Sequence, residues 1–497
     1  MKKKNFLVAA YLLVAGGMIG FTSCSNEEVI PNGGNGQDAQ VLTLRVASSG
    51  DGLTTREGRP LLSSAADQSI DQVALYFVKD GKVALKKWVS WEAAQDYADG
   101  KQLEIALKSD NAQKLKQGTY MVYAVGYSNA SKYTFTPAAM ANDNGNIFTE
   151  SGDVWDAASF KANMADPKFA EEVFAGQLEV TVEADGSFKK QANGVKQAIT
   201  LHRQVAGATG YFDNVPVSVD GKNAVKVRLV ASARNATVKF ENFNSAFTNS
   251  AAGNVQYIVN GADGAAKDAV FANGKDAFLV YEIDLSQWFK QDPTVGAGKE
   301  GYKGYDYNKD GFLGSDDVKQ YLKDQGKDAA TATIDDYAAV WTNPNKNLNV
   351  GGKMYTQSVY RGTVFGAQFV VPFAKVDDQN TLQLQVIDKD GAILKYWNIN
   401  VDKTHLKGDA AAGAGEAFDT DKKVFNIFRN HMYSVGMKAN NTTPGKPDVG
   451  PTDPDPEKPD PDQGGDKDEN PQDLSKGQDL VIYVNDNWEV IHNMEID

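Results

Sequence analysis

The residues best suited to chemistry lie between 306 and 317, in DYNKDGFLGSDD. Asp306, Asn308 and Asp310 occupy positions 1, 3 and 5 of that stretch, Gly311 position 6, Leu313 position 8 and Asp317 position 12. Alternate oxygen-bearing side chains converge on one ion, the glycine permits the sharp turn, and Phe312 offers its carbonyl, which is the spacing of a calcium loop. Asp317 stands where an EF-hand carries Glu. The expected ligands of a structural Ca2+ are Asp306, Asn308, Asp310, Phe312 and Asp317. The other reading is an acidic, Asx-rich loop that binds no ion. Residues 318–322 read as the exiting helix.

Cys24 is the only cysteine among 497 residues. Lys2, Lys3 and Lys4 precede an apolar run over 6–21, which Phe21-Thr22-Ser23-Cys24 closes. A charged start, an apolar middle and small residues before the end form a secretory signal. Small residues leading to a cysteine resemble a bacterial lipobox, so lipidation at Cys24 and an outer-membrane anchor are expected. Val295 to Gly301 holds a GxGxxG match without the strand–turn–helix context that would make it a nucleotide site. His202, His405, His431 and His492 are far apart in sequence, and no nucleophile–base pair stands out. The expectation is a protein that is not an enzyme.

These sites need a scaffold, and the scaffold reads as β. The formal charge of −14 argues against nucleic-acid partners. Short runs of alternating apolar residues recur between turn signals, as in β-sandwich domains. Residues 73–78 and 83–89 flank Asp80-Gly81, a hairpin signal. Further strands are expected over 103–107, 118–127, 178–182 and 198–202, then 225–231, 236–240, 277–285, 363–373, 382–387 and 392–401. Residues 91–97 and 160–174 read as helical, and Ser286 as the cap of a short helix around Trp288. Ahead of all these lies a first strand, 41–47 (VLTLRVA), and a polar loop with two arginines, in which Arg59 is blocked by Pro60 and Arg56 is the better protease site.

The chain's last stretch, 479–497, holds two alternating runs: Leu480, Ile482 and Val484, then Trp488, Val490, Met494 and Ile496 with His492 among them. They meet at Asn485-Asp486-Asn487, a bend composition. Before them, residues 442–478 are rich in Pro, Asp and Gly. Two readings stand. The strand serves another subunit's sheet by strand addition, or it folds back onto its own domain over a long loop.

The order of parts, from the lipobox through LTTREGR and LHRQVA to FRNHMYSVGMKA and a terminal alternating strand, resembles the Bacteroidales fimbrillins, shaft subunits of the minor type above all. The resemblance implies two transthyretin-like β-sandwich domains with short helical decorations. It implies a signal peptide (1–23), a lipidated propeptide with a removable strand (24–56), domains over 57–204 and 205–441, a tether (442–478) and a donor strand (479–497). An arginine-specific protease would cut at Arg56, and the emptied groove would accept a neighbour's donor strand. Partners would be other copies of the chain, accessory fimbrial subunits and, for the precursor, the outer membrane. The alternative is a surface lipoprotein adhesin or glycan-binding protein that does not polymerise.

Overall fold

The computed structural model describes residues 40–46, 70–91, 95–97, 100–107, 115–129, 131–138, 152–164, 170–190, 198–240, 258–266, 278–295, 301–329, 331–344, 348–350, 353–355, 359–376, 379–401, 418–419, 424–436, 471–476 and 480–485. Over these the protein is mainly β with short helices, as composition and periodicity lead one to expect.

The first sheet has eight strands: β1 (Gln40–Val46), β2 (Gln72–Lys79), β3 (Lys82–Ser90), β4 (Gln95–Tyr97), β5 (Gly100–Leu107), β6 (Gly118–Tyr127), β7 (Phe174–Val182) and β8 (Ala198–Arg203). Their order is β3-β2-β6-β7-β8-β1-β5-β4. The β2–β3 hairpin turns through Asp80 (φ 52°) and Gly81 (φ 70°), the two left-handed positions that a tight hairpin requires. One face buries Val73, Leu75, Phe77, Val122, Ala124, Ile199 and Leu201 against Trp91, Leu115 and Phe188.

The second sheet is built from β9 (Ala206–Asp213), β10 (Lys226–Ala231), β11 (Phe278–Asp284), β12 (Val364–Val370), β13 (Leu382–Ile387), β14 (Ile393–Val401), β15 (Met432–Val435), β16 (Gln472–Asp473) and β17 (Leu480–Asn485). It runs β11-β10-β13-β14-β17-β15-β9-β12, with β16 beside β9. The two edge strands return to face one another. Gly366 of β12 lies so close to Tyr281 and Ile283 of β11 that a Cβ there would come within 2.6 Å of Ile283. That inward face holds Phe212, Val364, Leu384, Ile399 and Tyr433, while Tyr211 and Phe365, paired with each other, pack on the opposite face. Three short helices decorate it: α1 (Leu285–Trp288), α2 (Ser315–Asp324) and α3 (Ile334–Tyr337).

Three expectations are corrected. Residues 95–97 form a strand, not a helix, because they pair with 100–102 and close a hairpin on β5. The stretch 160–174 is not helical in its described residues: Lys161–Asn163 is a strand held between Thr134–Thr136 and Thr237–Lys239, with Ala162 fully buried. Pro167 would in any case interrupt a helix there. Asp284, not Ser286, caps α1: its carboxylate accepts from the Ser286 backbone N–H at 3.0 Å and from the Ser286 hydroxyl at 2.7 Å.

Candidate functional site

The strands at the two ends of the described chain are both interior strands. β1 lies between β8, to which it runs parallel, and β5, to which it runs antiparallel. Its register is Thr43 to Val46 along Ala198 to Leu201, and Gln40 to Arg45 opposite Leu107 to Gln102. Leu42 is fully buried, and positions 44 and 46 lie beside the core residues Ile199 and Leu201. A side-chain amide fixes the start of the strand. Gln40 is fully buried; its Nε2 donates to the Leu115 carbonyl at 2.7 Å and the Gly186 carbonyl at 2.9 Å, and its Oε1 accepts the Leu115 N–H at 2.9 Å. The expected strand began one residue later, so this residue was missed. Nothing in the sequence sets it apart from other glutamines.

β17 repeats the arrangement in the second sheet. It is parallel to β14, with Leu480 to Ile482 along Ile399 to Val401, and antiparallel to β15, with Ile482 to Asn485 opposite Val435 to Met432. Positions 480, 482 and 484 therefore lie beside Ile399, Val435 and Tyr433, all fully buried. In this structure Leu480, Ile482 and Val484 sit in their own chain's sheet. The residues just before them are docked as well. Leu474 is fully buried in the core, its N–H donates to the Asp213 carbonyl at 3.0 Å, and β16 pairs with Phe212 and Asp213. The residue after β15, Gly436 (φ 72°), abuts the same place: a Cβ on it would lie 2.9 Å from the Gln472 nitrogen. The acidic stretch thus leaves and returns at neighbouring points, and the tether read from composition overruns a docked segment at 471–476. Trp488, Val490, Met494 and Ile496 lie outside the described residues, as do Cys24 and Arg56.

LHRQVA and FRNHMYSVGM, distant in sequence, meet where the two sheets join. Arg203 pairs with Glu172 at 2.9 Å, with side chains 4% and 0% exposed, and stacks over Phe174 at 4.9 Å. Arg203 Nη1 donates to Asn430 Oδ1 at 3.3 Å, and Arg429 Nη1 to Gln204 Oε1 at 2.9 Å. His431, against the Arg429 carbonyl at 2.6 Å, is buried, and burial pulls its pKa down to about 4. It is packed into this junction, and the lowered pKa leaves it neutral at pH 7.

The 306–317 loop is closed by its own hydrogen bonds. Asp306 accepts the N–H groups of Asp310 at 3.1 Å and Gly311 at 2.8 Å, and Asp310 accepts that of Phe312 at 2.8 Å. Asn308 Oδ1 accepts the Asp310 N–H at 3.0 Å. Asp317, fully buried on α2, accepts from Tyr307 at 2.6 Å, Asn308 at 3.1 Å and Gly314 at 2.9 Å. Burial pushes its carboxyl up to about 7 against the pull of those three donors. Asp213 accepts both the N–H and the hydroxyl of Ser315, tying the loop to β9. Of the five expected ligands, Asp306, Asn308, Asp310 and Phe312 lie in the loop and Asp317 in the first turn of α2, where its carboxylate is taken up by backbone N–H groups. Among the described residues, no three His, Cys, Asp or Glu side chains are gathered as a metal cage.

No family model matches the chain, and no curated protein does. Among solved structures it is similar to a candidate cell adhesion protein of Parabacteroides distasonis, at 8% identity over 90% of this chain and 96% of that one, with a TM-score of 0.36. The tip fimbrial protein of Porphyromonas gingivalis, truncated at its C-terminus, matches at 9% identity over 82% and 96% with a TM-score of 0.27. A candidate adhesin of Bacteroides ovatus matches at 14% identity and a TM-score of 0.25, over 41% of this chain and 58% of its own length. Likeness at this level does not assign a role.

Proposed function

We propose that the chain is a structural subunit of a cell-surface fimbrium that supports adhesion and assembles by protease-triggered strand exchange. The observation that carries the reading is the position of β1. Among the described residues it is the first strand in sequence, yet it lies inside its sheet, and residues 47–69, which include Arg56, link it to the next described strand. A cut there leaves β1 held by pairing and burial alone. Its departure opens a slot with two unpaired edges, a template for another strand. The terminal strand of a neighbour fits by polarity, since β17 also runs parallel to one flanking strand and antiparallel to the other. The contact is head-to-tail and propagates instead of closing. In this account the precursor reaches the surface through a lipid on Cys24, and Ca2+ in the 306–317 loop, proposed on spacing alone, stiffens the second sheet. Purified precursor treated with an arginine-specific protease should give detergent-resistant ladders when electrophoresed unheated. Arg56→Ala should stay monomeric. Monomers alone after complete cleavage of the unmutated chain would favour the non-polymerising adhesin.

A further inference from the structure

We infer that a side-chain amide sets the register of the exchanged strand, with Gln478 of a second copy of this chain taking the place of Gln40. The inference rests on the strand-exchange reading and adds to it the register and the residue that fixes it. The buried start of the β1 slot presents one N–H and two carbonyls, from Leu115 and Gly186, and Gln40 answers all three. A carboxylate brings no donor, Lys and Arg bring no acceptor, and a hydroxyl brings a single hydrogen; a primary amide alone has two donors and an acceptor. A replacement strand without an amide at that position leaves buried backbone groups unsatisfied.

β1 reads Gln40-x-Leu42-x-Leu44-x-Val46, and the C-terminal stretch reads Gln478-x-Leu480-x-Ile482-x-Val484. Alternating aliphatic residues suit any half-buried strand, so the glutamine is the informative match. The second run has no amide on its Trp488, Val490, His492, Met494 and Ile496 face. Among the described residues the terminal strand has three register pairs on one side and four on the other in its own sheet, and the slot that β1 vacates offers four and six. With Gln478 at the Gln40 position, Val481 falls opposite Glu104, as Thr43 does in the precursor.

The test uses the full-length chain carrying Glu104→Cys and Val481→Cys, cut with the arginine-specific protease and then mildly oxidised. Cys24 lies on the released piece. Disulfide-linked ladders are expected, and Gln478→Leu should slow ladder formation about tenfold. Ladders that lack this disulfide, or that cross-link Glu104→Cys to Glu489→Cys or Ile491→Cys instead, overturn the register and leave the assembly reading standing. Ladders that form at the unmutated rate with Gln478→Leu do the same. Absence of ladders from the unmutated, fully cut chain overturns both.

Discussion

The Arg203–Glu172 pair at the junction of the sheets is almost dry, with side chains 4% and 0% exposed. Such a pair adds little over an apolar one, but losing one partner strands a buried charge. Glu172→Ala should therefore destabilise the protein by about 3–5 kcal/mol in urea unfolding. Glu172→Gln, which keeps an acceptor for the guanidinium, should lose less. A change within 0.5 kcal/mol for Glu172→Ala would show that the junction does not depend on this pair. LHRQVA and FRNHMYSVGM were recognisable as motifs, but nothing local says that Asn430 and Gln204 would face the arginines of the other motif. Those contacts are made across 227 and 225 residues. Gln40 was hidden for the same reason: its partners, Leu115 and Gly186, lie 75 and 146 residues away.

Elements with strong local signals were legible. The Asp80-Gly81 hairpin, β6 over Gly118–Tyr127 and β13 over Leu382–Ile387 lie where alternation and turn chemistry put them. Segments with mixed signals were decided by pairing instead, as the strand at Lys161–Asn163 shows. The 306–317 loop was legible in its spacing and in the helix that follows, Ser315–Asp324. The hydrogen bonds that close it were not. If Ca2+ binds there, millimolar calcium should raise the melting temperature and Asp306→Ala with Asp310→Ala should abolish the rise. Because Asp317 titrates near 7 in the fold, and a ligand carboxylate must be ionised, that rise should shrink as pH falls through about 7. No calcium-dependent change in the unmutated protein at pH 8 would leave the loop as a hydrogen-bonded turn.

Over the whole molecule, the two ends of the described chain fill equivalent slots in two different sheets. This was half legible: alternation marked both terminal strands, but only the pairing shows that each is flanked on both sides. The central claim is that cleavage makes the first slot available to the C-terminal strand, and a free peptide spanning 478–497 tests it most directly. Native mass spectrometry of cut and uncut chain, each mixed with that peptide, reads the stoichiometry. The account predicts one peptide per cut subunit, none on the precursor, and ladders that stop growing as peptide is added. Equal binding to cut and uncut chain, or no binding to a fully cut and folded chain, would contradict it.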